Sequence, residues 1–191
     1  LAGKRNLVIY FYPKDDTPGC TMEALEFTDL QVEFDAARPD VFGISRDTCT
    51  SHGAFRDKYG LTVQLLADPD GEACEAYGVW QEKEAHGEKR MGIVRSTFIV
   101  DTQGLIRHVL WDVKPKGHAA AVLELVQELK IYQAELEIQN QELQQAQQEL
   151  SALHREYVDL YDFAPCGYAT LNPKGGVTRI NRTGANILGA E

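Results

Sequence analysis

The chain has 191 residues, of which 19 are basic and 29 acidic, a formal net charge of −10 and a 43% share of hydrophobic residues. Nucleic-acid binding needs a basic surface, which this charge balance does not offer. The longest apolar run is far shorter than the roughly 18–20 residues of a membrane span. The composition therefore favours a globular protein that binds neither nucleic acid nor membrane.

The first 130 residues alternate strand-like and helix-like patterns. Apolar, β-branched or aromatic runs predict strands at 6–13, 40–45, 63–68, 96–101 and 105–113, the last two forming a hairpin around a Thr-Gln-Gly turn. Apolar residues at helical spacing predict helices at 21–34, 51–60, 70–79 and 118–130. Strands that alternate with helices and end in a hairpin are typical of an α/β layered domain.

Residues 131–160 form a second part that is rich in Gln, Glu, Leu and Ala and contains no Gly or Pro. From the end of the preceding helix onward, apolar residues recur at steps of three and four, with one position of the pattern occupied by Gln139: Leu129, Tyr132, Leu136, Leu143, Ala146, Leu150, Leu153, Tyr157 and Leu160. A narrow apolar stripe with polar flanks over about four heptads is typical of a coiled coil, and this one would join two chains in a homodimer. The alternative is a single amphipathic helix that packs on its own domain.

Residues 161–191 form a third part, in which Pro165 ends the helical pattern. The strand-like segments GYATL and GVTRI flank the turn NPKGG and predict a β-hairpin. Asn181 is placed to cap a following helix. Because so short a segment cannot bury a core of its own, we expect it to be the beginning of a domain whose remainder is absent.

Cys20 is the residue that most clearly suggests chemistry. It lies in the stretch YPKDDTPGCTMEALEF, where Pro18 and Gly19 read as a turn and the helix is predicted to begin at Thr21. A cysteine reacts as its thiolate, and the unpaired N–H groups and dipole of a helix N-terminus favour that anion. An inert core cysteine is the alternative for any single buried thiol.

Three further residues are candidate neighbours of this sulfur. Thr17 can bring a hydroxyl near it, and Pro13, which ends the first strand, can shield it from water. Arg95 directly precedes another predicted core strand, and strand ends are where ligands gather in layered α/β folds. A cation there would stabilise the thiolate.

The four cysteines together indicate the cellular compartment of the protein. Cys20, Cys49, Cys74 and Cys166 form no C-x-x-C pair and have no zinc-site spacing, so no metal ligand set is predicted. Four scattered cysteines also do not suggest the disulfide framework of a secreted protein. We therefore expect a reducing, cytoplasmic setting.

The residues around Cys20 resemble the peroxiredoxin signature P-x-x-x-T-x-x-C, which is met by Pro13, Thr17 and Cys20. The segments GISRDTCTSHGAFRDKYGL, LLADPDGEACEAYGVW and STFIVDTQGLIRHVLWDVK are similar to the bacterioferritin-comigratory, or Q-type, branch of that family. The resemblance covers about residues 1–130. It implies a thioredoxin-like fold, no cofactor, and reduction of hydrogen peroxide or organic hydroperoxides at the expense of thioredoxin or a similar thiol, an antioxidant role.

The same resemblance implies a role for each matching residue. Cys20 would be the peroxidatic cysteine, Thr17 would hold the peroxide, Arg95 would bind and polarise it, and Pro13 would shield the site. Glu23, three residues after the cysteine, would orient Arg95. Family members also carry about 25–30 residues before the first core strand, which form a β-hairpin, and this hairpin is missing from the chain as given.

The chain departs from the family in its second cysteine. The two usual positions of a resolving cysteine are occupied by Leu25 and by Arg56. Cys49 could substitute if its helix unwinds, whereas Cys74 is expected to be a buried structural thiol. We therefore favour a mechanism in which an external thiol directly reduces the oxidised Cys20.

The C-terminal part resembles the coiled-coil entry and first strands of a PAS sensor domain. Only about the first third of such a domain is present. The predicted domains are thus a peroxiredoxin domain at 1–130, a coiled-coil linker at 131–160 and a partial PAS-like segment at 161–191. An alternative function follows, in which oxidation of Cys20 is signalled through the coiled coil to a PAS-like sensor.

Overall fold

The chain divides into two units, Leu1–Tyr132 and Gln133–Glu191. The structure, a computed structural model, describes residues 5–85 and 88–189. The predicted outer limits of the domains, residues 1 and 191, lie outside the described residues. Residue 132, where the units divide, lies within one long helix.

Unit 1 contains seven strands and the start of its last helix among the described residues. In chain order the elements are β1 (Leu7–Phe11), α1 (Pro18–Asp29), α2 (Gln31–Ala37), β2 (Asp40–Ser45), α3 (Cys49–Tyr59), β3 (Gln64–Ala67), α4 (Glu72–Ala76), β4 (Trp80–Ala85), β5 (Glu88–Ile93), β6 (Ser96–Val100), β7 (Ile106–Leu110) and α5 (His118–Asp162).

A five-stranded sheet with the order β3-β2-β1-β6-β7 forms the centre of unit 1. Strand β1 pairs in parallel with β2 and antiparallel with β6, so that Tyr10 lies between Gly43 and Thr97. The β-strand segments that the sequence predicted at 6–13, 40–45 and 96–101 supply these three central strands. Their continuous apolar runs fit strands that are covered on both faces.

The two faces of the sheet bury separate cores, because successive side chains of a strand point to opposite sides. Val8, Tyr10 and Tyr12 pack in a cluster with residues of α1, α2, α3 and α5, whereas Phe11 packs with residues of α4 and the β4–β5 region. Cys20 belongs to the first cluster. The sulfur therefore lies on the face of the sheet that is covered by α1, α2, α3 and α5.

Helix α1 begins earlier than the sequence predicted. Pro18 and Gly19 are its first residues rather than a turn before it, and Thr17 is its N-cap. A proline fits the first helical position because its fixed φ is already helical and its missing N–H has no partner there. The single helix predicted at 21–34 is also two helices, which meet at Leu30.

The hairpin of β4 and β5 was missed by the sequence analysis. The two strands pair antiparallel from Trp80 with Ile93 to Ala85 with Glu88. Their sequence, rich in Glu and Lys, has low strand propensity and no apolar run. The hairpin is anchored at its apolar end, where Val79 and Ile93 are buried in the second core cluster with Phe11.

Helix α5 is continuous for 45 residues, so that the predicted helix at 118–130 and the predicted coiled-coil segment at 131–160 are parts of one element. In unit 1 its buried residues include Val122 and Val126. From Leu136 to Leu160 the leucines of its stripe are exposed. No helix in the described part of the chain is long and apolar enough to cross a membrane.

The rest of unit 2 is a hairpin, β8 (Ala169–Leu171) and β9 (Val177–Ile180), followed by helix α6 (Arg182–Leu188). Asn181 caps α6 and is fully buried. Its amide oxygen accepts the N–H groups of Tyr168 and Gly184, and its amide nitrogen donates to the carbonyls of Tyr161 and Cys166, at 2.8–3.0 Å. One side chain thus ties the end of α5 to the hairpin and to α6.

Candidate active site

Cys20 is the third residue of α1 and is buried, with 3% of its surface exposed. The first turn of a helix has N–H groups without intrahelical partners, and together with the helix dipole they favour an anion. Cys20 therefore lies in the first turn of the helix, which begins two residues before it rather than one residue after it.

Arg95 contacts this sulfur. It directly precedes β6, and its Nη2 lies 3.1 Å from Cys20 Sγ. The side chain is 11% exposed. Burial alone would lower the pKa of Arg95, but the neighbouring charges of Glu23 and Cys20 outweigh it and hold that pKa above its ordinary value. Arg95 is therefore a permanent buried cation beside the thiol.

Glu23 binds the other side of the guanidinium. It follows Cys20 by three residues, so both side chains lie on one face of α1, and its carboxylate is fully buried. Its Oε2 accepts a hydrogen bond from Arg95 Nη1. The structure thus brings together Cys20, Arg95 and Glu23 in one contiguous group.

His118 completes this group and was not singled out from the sequence. It is the first residue of α5 and is buried. Its Nδ1 lies 2.6 Å from Glu23 Oε1, and its Nε2 lies 3.1 Å from Thr97 Oγ1 on β6. His118 is 95 residues from Glu23 along the chain, so only the tertiary fold identifies it.

Gly19 lies at a close approach in this site. A Cβ at that position would lie 3.3 Å from Pro115 Cγ and 3.6 Å from Arg95 Nη2. Pro115 belongs to the segment between β7 and α5. The Pro-Gly pair before the cysteine is therefore explained by a proline that suits the first helical position and a glycine that leaves room for two neighbours.

Thr17 and Pro13 lie in the segment between β1 and α1. Thr17 occupies the N-cap position of α1, but its hydroxyl donates to Lys14 O at 3.0 Å and makes no capping hydrogen bond with the helix. A hydroxyl that donates in this way keeps its oxygen as an acceptor. Pro13 is exposed, and Cys20 is buried by its packing in the core cluster. The shielding role of Pro13 stays a prediction.

Two more side chains lie within electrostatic range of the sulfur. Burial lowers the pKa of Lys83, on β4, and the charge of Arg95 lowers it further. Asp112 and Cys20 raise this pKa, but by less. Burial, followed by the charges of Glu23 and Cys20, raises the pKa of Tyr10 well above its usual value. Tyr10, on β1, is therefore a neutral phenol.

The other thiols have different surroundings. Cys74 is fully buried, and burial together with a hydrogen bond to Asp68 raises its pKa to about 12. Cys49, the possible resolving residue, is exposed and is the first residue of α3. Cys166 is exposed in unit 2. In the described ranges no group of three or more His, Cys, Asp or Glu side chains is arranged to hold a metal ion.

Comparisons with known proteins show the family of the chain. Residues 1–109 match the model of the AhpC/TSA family. The chain is 46% identical over 123 residues to a putative peroxiredoxin, bcp, of Coxiella burnetii, covering 64% of this chain and 81% of that protein. It is 40% identical over 124 residues to peroxiredoxin Bcp of Escherichia coli, covering 65% and 80%.

A similar solved structure is that of the bacterioferritin comigratory protein of Xanthomonas campestris, which has alkyl peroxide reduction activity. Its TM-score is 0.64 at 43% identity, and the match covers 68% of this chain and 82% of that one. This likeness confirms the thioredoxin-like α/β fold predicted from the sequence.

Proposed function

The chain belongs to the AhpC/TSA family, among its Bcp-type peroxiredoxins, and from this premise we propose that Cys20 is the peroxidatic cysteine of a thiol-dependent peroxidase. The observation that carries the assignment is the contact between Arg95 Nη2 and Cys20 Sγ, 3.1 Å long and almost wholly buried. A thiolate at a helix N-terminus against a permanent cation has the surroundings of a reactive cysteine.

The reaction is a two-electron oxidation of the sulfur. The Cys20 thiolate attacks one oxygen of a hydroperoxide, an S–O bond forms, and the O–O bond breaks. The leaving oxygen takes the electron pair and a proton to become water or an alcohol, and Cys20 becomes a sulfenic acid. Arg95 faces the negative charge that builds on the leaving oxygen, and preorganised charges of this kind are usually the largest catalytic contribution.

Thr17 is suited to hold the substrate in this reaction. Its hydroxyl hydrogen is directed to Lys14 O, so its oxygen can accept the O–H of a hydroperoxide. Thr17 and the guanidinium of Arg95 then bind complementary ends of the substrate, one accepting and one donating hydrogen bonds.

Recycling of the sulfenic acid is assigned to an external thiol such as thioredoxin. Leu25 and Arg56 occupy the two positions at which family members usually carry a resolving cysteine. Condensation with the reductant's thiol forms a mixed disulfide and releases water, and a second thiol of the reductant then frees Cys20.

The hydrogen bonds that hold the start of α3 support this one-cysteine mechanism over one that uses Cys49. Thr48 caps the helix by accepting the N–H of Ser51. Asp15, before α1, accepts the Ser51 hydroxyl at 2.6 Å and lies 2.8 Å from His52 Nδ1. Unwinding α3 to bring Cys49 to Cys20 would break these contacts.

The first experiment is steady-state consumption of hydrogen peroxide by the chain with a thioredoxin system, beside Cys20→Ser and Arg95→Met. We expect turnover in the parent, none in Cys20→Ser, and a fall of about 10²–10³-fold in Arg95→Met, the loss that follows removal of one donor to a developing oxyanion. A folded parent without turnover would contradict the peroxidase function.

A second experiment tests the one-cysteine mechanism. The protein is treated with peroxide, alkylated and examined by mass spectrometry without reduction. We expect Cys20 as sulfenic acid or its trapped adduct, and Cys49 as free thiol. A stoichiometric Cys20–Cys49 disulfide would rule the mechanism out.

A second candidate function is a peroxide-responsive interaction module. It is favoured by the continuity of α5, which begins at a residue of the Cys20 group and carries an exposed leucine stripe from Leu136 to Leu160. In this proposal the stripe forms a homodimeric coiled coil, and the hairpin with α6 is the beginning of a PAS-like sensor. A sensor needs one oxidation per chain and a change in association, whereas an enzyme consumes many peroxides.

A reducing, cytoplasmic compartment remains our proposal for the protein's location. All four cysteines are free thiols. This is the state expected where thioredoxin and glutathione keep cysteines reduced. Alkylation of thiols in intact cells before lysis, followed by mass spectrometry, tests it: the proposal requires Cys49 and Cys166 to be reduced.

A further inference from the structure

We propose that His118 is a positioning residue of the peroxidase reaction, which holds Arg95 against Cys20 by fixing the carboxylate of Glu23. The inference rests on the proposed function of Cys20 and goes beyond it, because His118 touches neither the sulfur nor a substrate. It acts through a chain of buried hydrogen bonds.

The first step is the geometry of Glu23. One carboxylate oxygen binds Arg95 and the other lies 2.6 Å from His118 Nδ1. The terminal torsion of a glutamate side chain is broad and would leave a carboxylate with one partner free to rotate. Two partners on opposite oxygens fix its plane, and no part of this side chain is exposed to water that could replace either of them.

The second step is the orientation of the imidazole. Nδ1–H donates to Glu23, and Nε2 pairs with the hydroxyl of Thr97 at 3.1 Å. The rings of Phe27 and His118 pack in a T-shaped arrangement, with centroids 5.8 Å apart and planes at 84°. Both ring nitrogens therefore have a partner and the ring packs against Phe27, and these contacts favour one orientation of the ring.

The third step leads back to the sulfur. Arg95 uses Nη1 for Glu23 and Nη2 for Cys20, and its guanidinium is planar and rigid. A shift of the carboxylate therefore moves Nη2 away from Sγ and from the oxygen that leaves in the reaction. Catalytic groups that stabilise a developing charge must be held in place before the charge appears.

Two substitutions of His118 separate its contacts. In His118→Asn the amide nitrogen takes the place of Nδ1 and can donate to Glu23, but the reach to Thr97 is lost. In His118→Gln the amide extends towards the place of Nε2 and Thr97, and the bond to Glu23 is lost. The pair therefore tests which of the two contacts matters.

The measurement is the single-turnover rate constant for loss of the Cys20 thiol in hydrogen peroxide, followed by alkylation and mass spectrometry on the full chain. We expect the rate constant of His118→Gln to fall by up to ~10²-fold, as for a misplaced catalytic group. His118→Asn should be rescued to within about fivefold of the parent, the equivalent of one ordinary hydrogen bond. His108→Gln, a matched change elsewhere in unit 1, should behave as the parent.

A double-mutant cycle with Glu23→Gln tests the route of the effect. If His118 acts through Glu23, His118→Gln has no further effect once Glu23→Gln is present. Equal rate constants for His118→Gln and the parent, equal losses in the Asn and Gln variants, or losses that multiply in the cycle would each overturn the proposal. Should His118→Gln fail to fold, Thr97→Val, which removes only the hydroxyl on Nε2, must lower the rate constant about fivefold.

Alkylation of Cys20 by iodoacetamide at pH 6 separates this proposal from the proposed function. The reaction requires the thiolate but no peroxide binding. A parent that is alkylated and does not reduce peroxide contradicts the peroxidase function alone. Slower alkylation in His118→Gln than in His118→Asn would still support the positioning of Arg95, and equal rates would oppose it.

Discussion

Cys20 and Cys74 are both buried thiols of unit 1, and their charged neighbours have opposite signs. Cys20 contacts the guanidinium of Arg95, whereas the backbone N–H of Cys74 donates to the carboxylate of Asp68 at 2.9 Å. A cation favours a thiolate and an anion opposes it. Burial adds to the effect of Asp68 and raises the pKa of Cys74 to about 12.

The different surroundings of Cys20 and Cys74 predict which thiols react with an alkylating reagent. In the native protein at pH 7–8 we expect a thiol reagent to modify Cys20, Cys49 and Cys166 and to leave Cys74 unmodified until the chain is unfolded. Site-resolved mass spectrometry after labelling with and without urea measures it. Rapid native labelling of Cys74 would show that unit 1 opens around α4.

Asp101, at the end of β6, is a residue whose charge stabilises a turn. Burial opposes that charge, but the N–H groups of Leu105 and Gln103 and the guanidinium of Arg107 more than compensate, and the pKa of Asp101 is lowered. Because the folded state binds this proton less readily than the unfolded chain, the stabilisation is complete above the unfolded value of about 3.9 and is lost as the pH falls through the folded pKa.

Asp101→Asn tests this pH dependence. The variant should be less stable than the parent in urea unfolding at pH 7, and the difference should shrink as the pH is lowered from 5 to 3. Asp70→Asn, a change at an exposed carboxylate, is the control and should show a small effect at each pH. A difference for Asp101→Asn that stays constant with pH would contradict the assignment.

At the scale of the elements, two glycines of unit 1 have opposite requirements. Gly43 on β2 faces Tyr10, and a Cβ there would lie 2.5 Å from Tyr10 Cζ and 3.0 Å from Leu65 Cδ2. Gly53, within α3, has no heavy atom within 4 Å of the corresponding position. One glycine makes room for a buried ring, and the other lowers the stability of a helix.

Gly43→Ala should therefore destabilise the fold by about 1–3 kcal/mol through overpacking. Gly53→Ala should stabilise it by roughly 0.5–1 kcal/mol, since alanine is the better helix former. Urea unfolding of the two variants and the parent measures both changes. The same sign of change in both variants would contradict this account.

The elements also show where the sequence was sufficient. The apolar runs of β1, β2 and β6 identify the core strands because each is buried on both faces. The signature around Cys20 predicts roles for the thiol and Thr17, and the place of Arg95 before β6 predicts its contact with the sulfur. The β4–β5 hairpin was missed because its residues are polar. The start of α1 was misplaced because Pro-Gly is common both in turns and in first helical turns. His118 has no local signal, since it reaches Glu23 only through the fold.

At the scale of the whole molecule, the 45-residue helix α5 sets the association state that we propose. Leu143 and Leu150 recur seven residues apart and are each 67% exposed. Single exposed leucines are common, but a regular row of them along a helix is typical of a surface that meets a partner helix. A second copy of the same chain satisfies that repeat without any other component.

We expect the full chain to sediment as a dimer and the double variant Leu143→Glu, Leu150→Glu to sediment at the mass of one chain, 21.3 kDa. Charges at two core positions of a coiled coil would be buried without partners, which opposes association. The matched control is Gln141→Glu, Gln148→Glu, which adds the same charge at outward heptad positions and should leave the dimer intact. A monomeric parent in sedimentation would exclude the coiled coil.

The buried guanidinium of Arg95 also has a consequence for the second half of the reaction. In the proposed reaction it contacts two acidic groups, Glu23 and the Cys20 thiolate that attacks the peroxide. Conversion of the thiolate to a neutral sulfenic acid leaves Arg95 charged and removes one of them. A buried cation that has lost an anion attracts another, and the next reactant to approach the sulfur is itself a thiolate. We therefore expect the residue that assists the attack on peroxide to attract the thiolate of the reductant as well.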